Sequence, residues 1–174
     1  PALLAQVSRA LGLRPAQIIA AQLLDNGPVW LGLWLDSSDT LLALTPDHAT
    51  LKSLEQKVGI AGAYPEQQAT SLIVRSNREA RAFAGYTDGG TATPDLEVRA
   101  FAAPLGVNED PVTGSLNASL AQWLIADGLA PARYLVAQGA CLDRAGRVHI
   151  ERDTGGQVWV GGESVTCIEG TVAL

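Results

Sequence analysis

The start of the chain has the apolar spacing of a helix. Apolar side chains recur at near-helical intervals from Ala2 to Leu11, and Pro15 is placed to open a second short turn. Asn26-Gly27-Pro28 then breaks the pattern, because these residue types favour turns. We therefore predict that residues 1–25 are a helical lead-in and that residues 26–174 form the principal domain.

After this break the pattern changes to short runs that are typical of strands. Residues 29–35 are a continuous apolar run of strand length, which indicates burial on both faces. A turn at 36–39 leads to a second predicted strand at 40–44, which completes a hairpin. A helix is predicted from Pro46-Asp47 to about Lys57. Further strands are predicted at residues 70–74, 97–101, 134–138, 148–151, 158–160, 165–168 and, more briefly, 172–174.

Residues 115–126 are predicted to form a helix that is apolar nearly all round. Such a helix has to be enclosed by protein, and the many strands around it indicate a sheet curled about it. Helices are too few for a regular alternation of strands and helices. The predicted fold class is therefore α+β, with a mixed or antiparallel sheet curled as a barrel around one central buried helix.

Composition and charge exclude several classes of protein. Apolar residues make up 47% of the 174 residues and charged ones 17%, so the chain can bury a core. The net charge is −6 and no Lys/Arg-rich run occurs, which argues against nucleic acid and anionic membrane surfaces as partners. The two cysteines, Cys141 and Cys167, are too few for a disulfide framework and are predicted to be buried apolar residues of a protein in the reducing cytosol.

One stretch carries candidate chemistry, namely residues 106–115, which read Gly-Val-Asn-Glu-Asp-Pro-Val-Thr-Gly-Ser. This acidic loop leads into the N-terminus of the buried helix, where free N–H groups and the helix dipole attract anions. Gly114 allows close approach to the backbone and Ser115 adds a hydroxyl, so a carboxylate or phosphate could bind there. The alternative is plain capping, with Asp110-Pro111 or Thr113-Gly114-Ser115 starting the helix. Spacing alone leaves both interpretations open.

The same stretch, preceded by Val98-Arg99-Ala100-Phe101-Ala102, resembles the signature of the PhzF-like proteins of phenazine biosynthesis. Other parts of the chain occur in that family's order, and together they cover essentially all 174 residues: Asp25 to Trp30, Gln138-Gly139, Arg144, Gly146-Arg147 and Val158 to Gly162.

The resemblance implies a diaminopimelate-epimerase-like fold, in which two similar halves each wrap a curled sheet around a helix. The active site of such proteins lies between the halves, where both helix N-termini grip a substrate carboxylate. The implied chemistry is isomerisation or epimerisation of a small carboxylic acid by proton transfer without a cofactor. By residue match, Asp110 assists the proton transfer together with Ser115, and Thr113, Gly114 and Ser115 hold the substrate.

The resemblance also implies that an N-terminal half of the enzyme is missing from this chain. The principal acid/base Glu of the family belongs to an N-terminal half, and nothing in this chain replaces it. The leading hypothesis is therefore a C-terminal half of an isomerase, inactive alone, that joins its missing half or a second copy as a homodimer. The alternative is a stand-alone, non-catalytic module that binds a small carboxylate or self-associates.

Overall fold

The computed structural model describes residues 2–65 and 93–173. The helices of this part are α1 (Ala2–Leu11), α2 (Ser38–Leu42), α3 (His48–Ser53) and α4 (Gly114–Ala126). Its strands are β1 (Ile18–Asp25), β2 (Val29–Leu35), β3 (Val58–Ala63), β4 (Leu96–Ala102), β5 (Val107–Asp110), β6 (Arg133–Gln138), β7 (Gly146–Arg152) and β8 (Val158–Gly161). No helix within this part is long and apolar enough to cross a membrane.

The strands form one mixed sheet that curls into a half-barrel. Their order is β1-β2-β3-β4-β6-β7-β8, with β5 added beside β4. The β2/β3 and β4/β6 pairs are parallel, and the other neighbours are antiparallel. The predicted fold class, an α+β protein with a curled mixed sheet, is confirmed.

Helix α4 occupies the inside of the curl, as its composition predicts. Leu116, Leu120 and Leu124 are almost fully buried and belong to one core cluster with Val98 of β4 and Val136 of β6. A helix apolar on most sides is stable only when protein surrounds it. Because α4 is packed inside the curled sheet, the position of its N-terminus relative to the sheet is fixed.

The outer face of the sheet has its own core, formed with the three shorter helices. Leu11 of α1, Leu41 of α2 and Leu51 of α3 are buried together with Leu33 of β2 and Phe101 of β4. Alternate residues of β4 thus serve two cores, because successive side chains of a strand point to opposite faces.

Helix α4 lies very close to strand β3 at Gly59. A Cβ added at Gly59 would fall 2.2 Å from Cδ1 of Leu116, in the first turn of α4. Real Cβ atoms do not approach so closely, so a larger residue at position 59 would require the Leu116 side chain or the first turn of α4 to move. Glycine at position 59 therefore leaves room for the Leu116 side chain of the N-terminal turn of α4.

The predicted helical lead-in is wrong beyond its first part. α1 confirms the helix over residues 2–11, but residues 18–25 form strand β1, which pairs with β2 from Ile18↔Leu35 to Asp25↔Val29. The predicted boundary between residues 25 and 26 therefore falls in the turn of a hairpin. Ala, Gln and Leu in β1 favour helices, but the backbone hydrogen bonds offered by β2 outweigh that weak preference.

Two further assignments between residues 40 and 63 are wrong. Residues predicted as a strand at 40–44 lie mostly in helix α2, because the Ser37 side chain caps it by accepting a hydrogen bond from the Thr40 N–H at 3.1 Å. The helix predicted to reach Lys57 ends at Ser53. Residues 58–63 then form a strand, β3, parallel to β2.

The C-terminal residues 162–173 contain no regular secondary structure, although strands were predicted at 165–168 and 172–174. Val165 and Ile168 are 85% and 92% exposed. Strand-forming residues need a ladder to pair with, and within the described residues this segment has none. The strand predicted at 70–74 lies outside the described residues.

The prediction of buried cysteines is wrong as well. Cys141 and Cys167 are both free and exposed. Cys141 lies in a short turn after β6, and Cys167 lies in the irregular C-terminal segment. Their small apolar side chains gain nothing there from a core, because the core clusters form on the two faces of the sheet.

Candidate functional site

Strand β5 carries Asp110 to the start of helix α4. The chain leaves β4 through a short turn that ends at Gly106, whose φ of +83° lies in the left-handed region that favours glycine. β5 then runs back along β4 with Asp110 opposite Ala100. The strand is only four residues long, so its position depends on further anchors.

The principal anchor of β5 is a buried ion pair between Glu109 and Arg99 of β4. The guanidinium donates from Nε to Oε1 at 2.9 Å and from Nη2 to Oε2 at 2.8 Å, which is a bidentate arrangement. Its Nη1 donates to the carbonyls of Leu41 and Leu44 at 3.1 and 3.0 Å. Burial works against the charge of Arg99, but the hydrogen bonds and charge of Glu109 keep its pKa above the usual value.

Asp110 is half-buried and reaches the first residue of the helix start. Its Oδ2 accepts a hydrogen bond of 2.6 Å from the hydroxyl of Thr113. Thr113 is the N-cap of α4, yet its side chain caps no helix amide, since the hydroxyl is used on Asp110 instead. The helix thus starts at Thr113-Gly114-Ser115 and not at Asp110-Pro111, and no side chain of the described residues caps its first amides.

Gly114 and Ser115 form the first turn of α4 at the surface of the domain. Gly114 is exposed, and a Cβ added there would meet nothing within 4 Å. Ser115 is half-buried, and its carbonyl accepts a hydrogen bond from the Ser119 hydroxyl at 3.0 Å. The uncapped amides, the dipole of a 13-residue helix and the open space at Gly114 together suit a small anion.

Two buried amides behind the motif were not assigned any role from the sequence. Asn117 of α4 and Gln138 at the end of β6 are 2% and 1% exposed, and both contact Thr113. Gln138 follows Tyr134 and Val136 on the core-facing side of β6. A polar residue at a core-facing position of a strand is the signal that could have identified it.

A second polar cluster lies on β4, on the strand that also carries Arg99. Glu97 is 1% exposed, and its Oε2 accepts a hydrogen bond of 2.6 Å from the Tyr64 hydroxyl. Its Oε1 has no partner among the described residues. Burial raises the pKa of Glu97, and the Tyr64 hydrogen bond with the charges of Arg147 and Arg99 only partly opposes this rise.

The raised pKa of Glu97 predicts that the contribution of this residue to the stability of the domain falls as the pH increases. Protonated Glu97 is favoured in the folded state. Its contribution is therefore complete below the unfolded pKa of about 4.3 and is lost as the pH rises through the folded pKa. Glu97→Gln should flatten this decline in urea unfolding measured at several pH values. Glu169→Gln, in the exposed C-terminal segment, is the control; equal pH profiles for wild type and Glu97→Gln would contradict the prediction.

Within the described residues, neither a metal site nor the surface groove beside β1 coincides with the motif. In residues 2–65 and 93–173, no three His, Cys, Asp or Glu side chains are grouped to hold a metal ion. A groove of about 260 Å³ lies between residues 22–25 of β1 and the stretch from Ser119 to Asp127. It is formed by the other end of α4 and contains no motif residue.

The sequence profile of the PhzC-PhzF family, described as phenazine biosynthesis-like protein, matches residues 3–170. The match therefore includes the whole motif and nearly all of the fold. The chain belongs to this family. The recognition made from the motif is confirmed.

The chain spans about half the length, or less, of the curated relatives that it matches. Antisense-enhancing sequence 1 of Schizosaccharomyces pombe is 27% identical over 96% of the chain and 52% of the relative. An uncharacterized isomerase of Pseudomonas aeruginosa is 33% identical over 80% of the chain and 42% of the relative. An uncharacterized isomerase of Escherichia coli is 29% identical over 62% of the chain and 31% of the relative.

Solved structures of the family share the fold over the same half-length. A PhzC/PhzF protein of Clostridium difficile superimposes with a TM-score of 0.60, at 22% identity, over 97% of this chain and 51% of its own. A PhzF family protein of Enterococcus faecalis superimposes with a TM-score of 0.58, at 22% identity, over 92% and 51%. The PhzF-like fold of this chain thus corresponds to about half of each structure.

Proposed function

We propose that this chain is the half of a PhzF-like isomerase that binds the carboxylate of a small acid and assists a proton transfer. The observation that carries the proposal is the hydrogen bond of 2.6 Å between Asp110 and the N-cap residue Thr113. It holds an acidic group beside uncapped helix amides and beside open space at Gly114. Relatives named isomerases support the reaction class.

In the proposed reaction the substrate carboxylate binds the amides of Gly114 and Ser115 and the Ser115 hydroxyl. The helix dipole stabilises its negative charge. A base removes a proton from carbon, and Asp110 assists its return at another position of the same molecule. No electrons are gained or lost, so the reaction class needs no redox cofactor.

The base itself is proposed to come from outside this chain. The motif residues supply an anion site and one acid, whereas proton transfer needs a base within hydrogen-bond reach of the substrate carbon. The relatives contain a further half that this chain does not span. We therefore expect the chain alone to be inactive, and we expect it to work in the cytosol when joined to such a half.

Titration with acetate tests the proposed anion site. The amide NMR signals of Gly114 and Ser115 should move with acetate concentration, because both N–H groups face the bound carboxylate. Gly114→Ala should weaken binding on the order of 10-fold, about 1.4 kcal/mol, since the added methyl occupies the open space. Gly170→Ala, at an equally open glycine, is the control. Unmoved signals at residues 114 and 115 would reject the site.

A non-catalytic module remains the second candidate, because the chain matches only about half of its relatives. Such a module would bind acetate in the same way and would self-associate. Both candidates share the prediction of an interface beside the motif. There, Leu105, Val107 and Val112 are 71%, 43% and 44% exposed. Apolar side chains grouped on a surface favour a partner.

We expect two copies to pair through this surface, with the same residues on both sides of a twofold contact. Light scattering should show a dimer that dissociates on dilution, and Leu105→Asp should shift the equilibrium to monomer. Ile168→Asp, which introduces the same charge in the exposed C-terminal segment, should leave pairing unchanged. A strict monomer would contradict pairing, and a loss only in Ile168→Asp would move the interface to the C-terminal segment.

A further inference from the structure

The side-chain amide of Gln138 uses all of its hydrogen-bonding positions on the loop that carries Asp110. Its Oε1 accepts from the Thr113 backbone N–H at 3.2 Å and from Asn117 Nδ2 at 2.8 Å. Its Nε2 donates to the Asp110 carbonyl and to Thr113 Oγ1, both at 3.0 Å. Two donors and two acceptor positions are the full capacity of a primary amide. The group is therefore held in one place and one orientation.

The partners of Gln138 determine which end of the amide is which. A backbone N–H can only donate and a backbone carbonyl can only accept, so Oε1 has to face Thr113 N and Nε2 has to face Asp110 O. Nε2 consequently donates to Thr113 Oγ1, and this hydroxyl has one proton of its own to donate. That proton goes to Asp110 Oδ2, which lies 2.6 Å away.

We infer that Gln138 is a positioning residue for Asp110, acting through the hydroxyl of Thr113. The chain of donors runs in one direction, from the Gln138 amide to the Thr113 hydroxyl to the Asp110 carboxylate. It fixes the rotamer of Asp110 beside the N-terminus of α4. The inference rests on the proposed function in that Asp110 is the group that assists proton transfer.

Burial makes each hydrogen bond of this arrangement difficult to replace. Gln138 is 1% exposed and Asn117 is 2% exposed, so little water is available to replace a lost bond. Asn117 also donates to the Thr113 carbonyl at 2.8 Å, which fixes the helix start to the same amide. A change at Gln138 therefore acts on both the backbone and the side chain of Thr113.

Gln138→Glu tests the direction of the hydrogen bonds while it keeps the shape of the residue. The variant keeps the size of Gln138 but replaces the donating NH₂ with an oxygen, which at alkaline pH can only accept. The Thr113 hydroxyl should then donate to the introduced carboxylate and release Asp110. Gln138→Leu removes all four hydrogen bonds. Gln122→Glu, at an exposed position of α4, introduces the same charge as the control.

The measurement is the pair of three-bond Hα–Hβ couplings of Asp110, which report its side-chain rotamer. We expect two unequal couplings in the wild type and in Gln122→Glu. In Gln138→Glu and Gln138→Leu they should collapse to averaged values, while the amide spectrum elsewhere shows an intact fold. Thr113→Val should have the same effect, and Thr113→Ser, which keeps the hydroxyl, should restore the unequal couplings.

Unequal couplings retained in Gln138→Glu would overturn the inference, and so would averaged couplings in the wild type. If Gln138→Leu does not fold, Gln138→Glu and Thr113→Val decide the question alone. The readout needs no substrate. Failure of the proposed function appears instead as unmoved Gly114 and Ser115 signals in the acetate titration, so the two failures are distinguishable.

Discussion

Glu109→Gln is expected to destabilise the domain by about 3–5 kcal/mol, because it leaves a buried guanidinium without a counter-charge. Arg99 is 4% exposed and cannot turn to solvent without breaking its bonds to the carbonyls of Leu41 and Leu44. The same change should loosen β5, which presents Asp110. Urea unfolding measures the loss, provided that the slope with urea concentration stays unchanged.

The exposed pair Arg133–Glu151 is a matched control for this prediction. Its N–O distance of 3.0 Å is similar, but its side chains are 80% and 51% exposed, compared with 5% and 6% for Arg99 and Glu109. Glu151→Gln should therefore cost at most about 1 kcal/mol. Equal costs at the two sites would show that burial does not determine the strength of the Arg99 pair. The double replacement of Arg99 and Glu109 by Met should recover much of the stability, because neither charge of this pair is then buried without its partner.

Asp110→Asn is expected to lower turnover by about 10²–10⁴-fold while changing substrate affinity little. The substitution keeps the size of the side chain and can still accept the Thr113 hydrogen bond, but it removes the ionisable group. The test requires the chain joined to a partner half, since the proposal assigns the base to that half. Exchange of substrate C–H hydrogen with D₂O, followed by NMR over a panel of small carboxylic acids, detects proton transfer before the product is known.

Asp47→Asn is a suitable control for Asp110→Asn. Asp47 is likewise an aspartate that accepts a hydrogen bond from a threonine hydroxyl at a helix start, from Thr50 at 2.6 Å, but it caps α3. The control should leave exchange unchanged. Exchange by Asp110→Asn at the rate of the wild type would remove Asp110 from the proposed mechanism.

The strongest sequence patterns predicted the centre of the fold. The apolar run at 29–35 forms β2, and the helix predicted at 115–126 is α4. Both segments are almost wholly apolar, and such a composition is typical of elements buried on all sides. Weaker patterns predicted the wrong element where pairing with a neighbouring strand determined the secondary structure. Residues 18–25 contain good helix formers, and only the neighbouring β2 makes them a strand.

The sequence indicated the part of the candidate site whose residues are neighbours in the chain, but not the part that comes from a distant strand. Asp110, Thr113, Gly114 and Ser115 are close in sequence, and the structure also places them together at the start of α4. Gln138 lies 25 residues beyond Thr113 on a different strand, so its contact depends on how β6 is placed against α4. Sequence spacing contains no information on that placement until the sheet order is known.

Because Gly59 and Leu116 lie so close together, the residue sizes that positions 59 and 116 can have depend on each other. A larger residue at 59 is compatible with this fold only when position 116 becomes smaller, because both compete for one volume. Leu116 lies in the first turn of α4, so a change in this volume is expected to move the amides of the proposed anion site. A substitution at position 59 is therefore expected to shift the proposed substrate pocket without replacing any residue that touches the ligand.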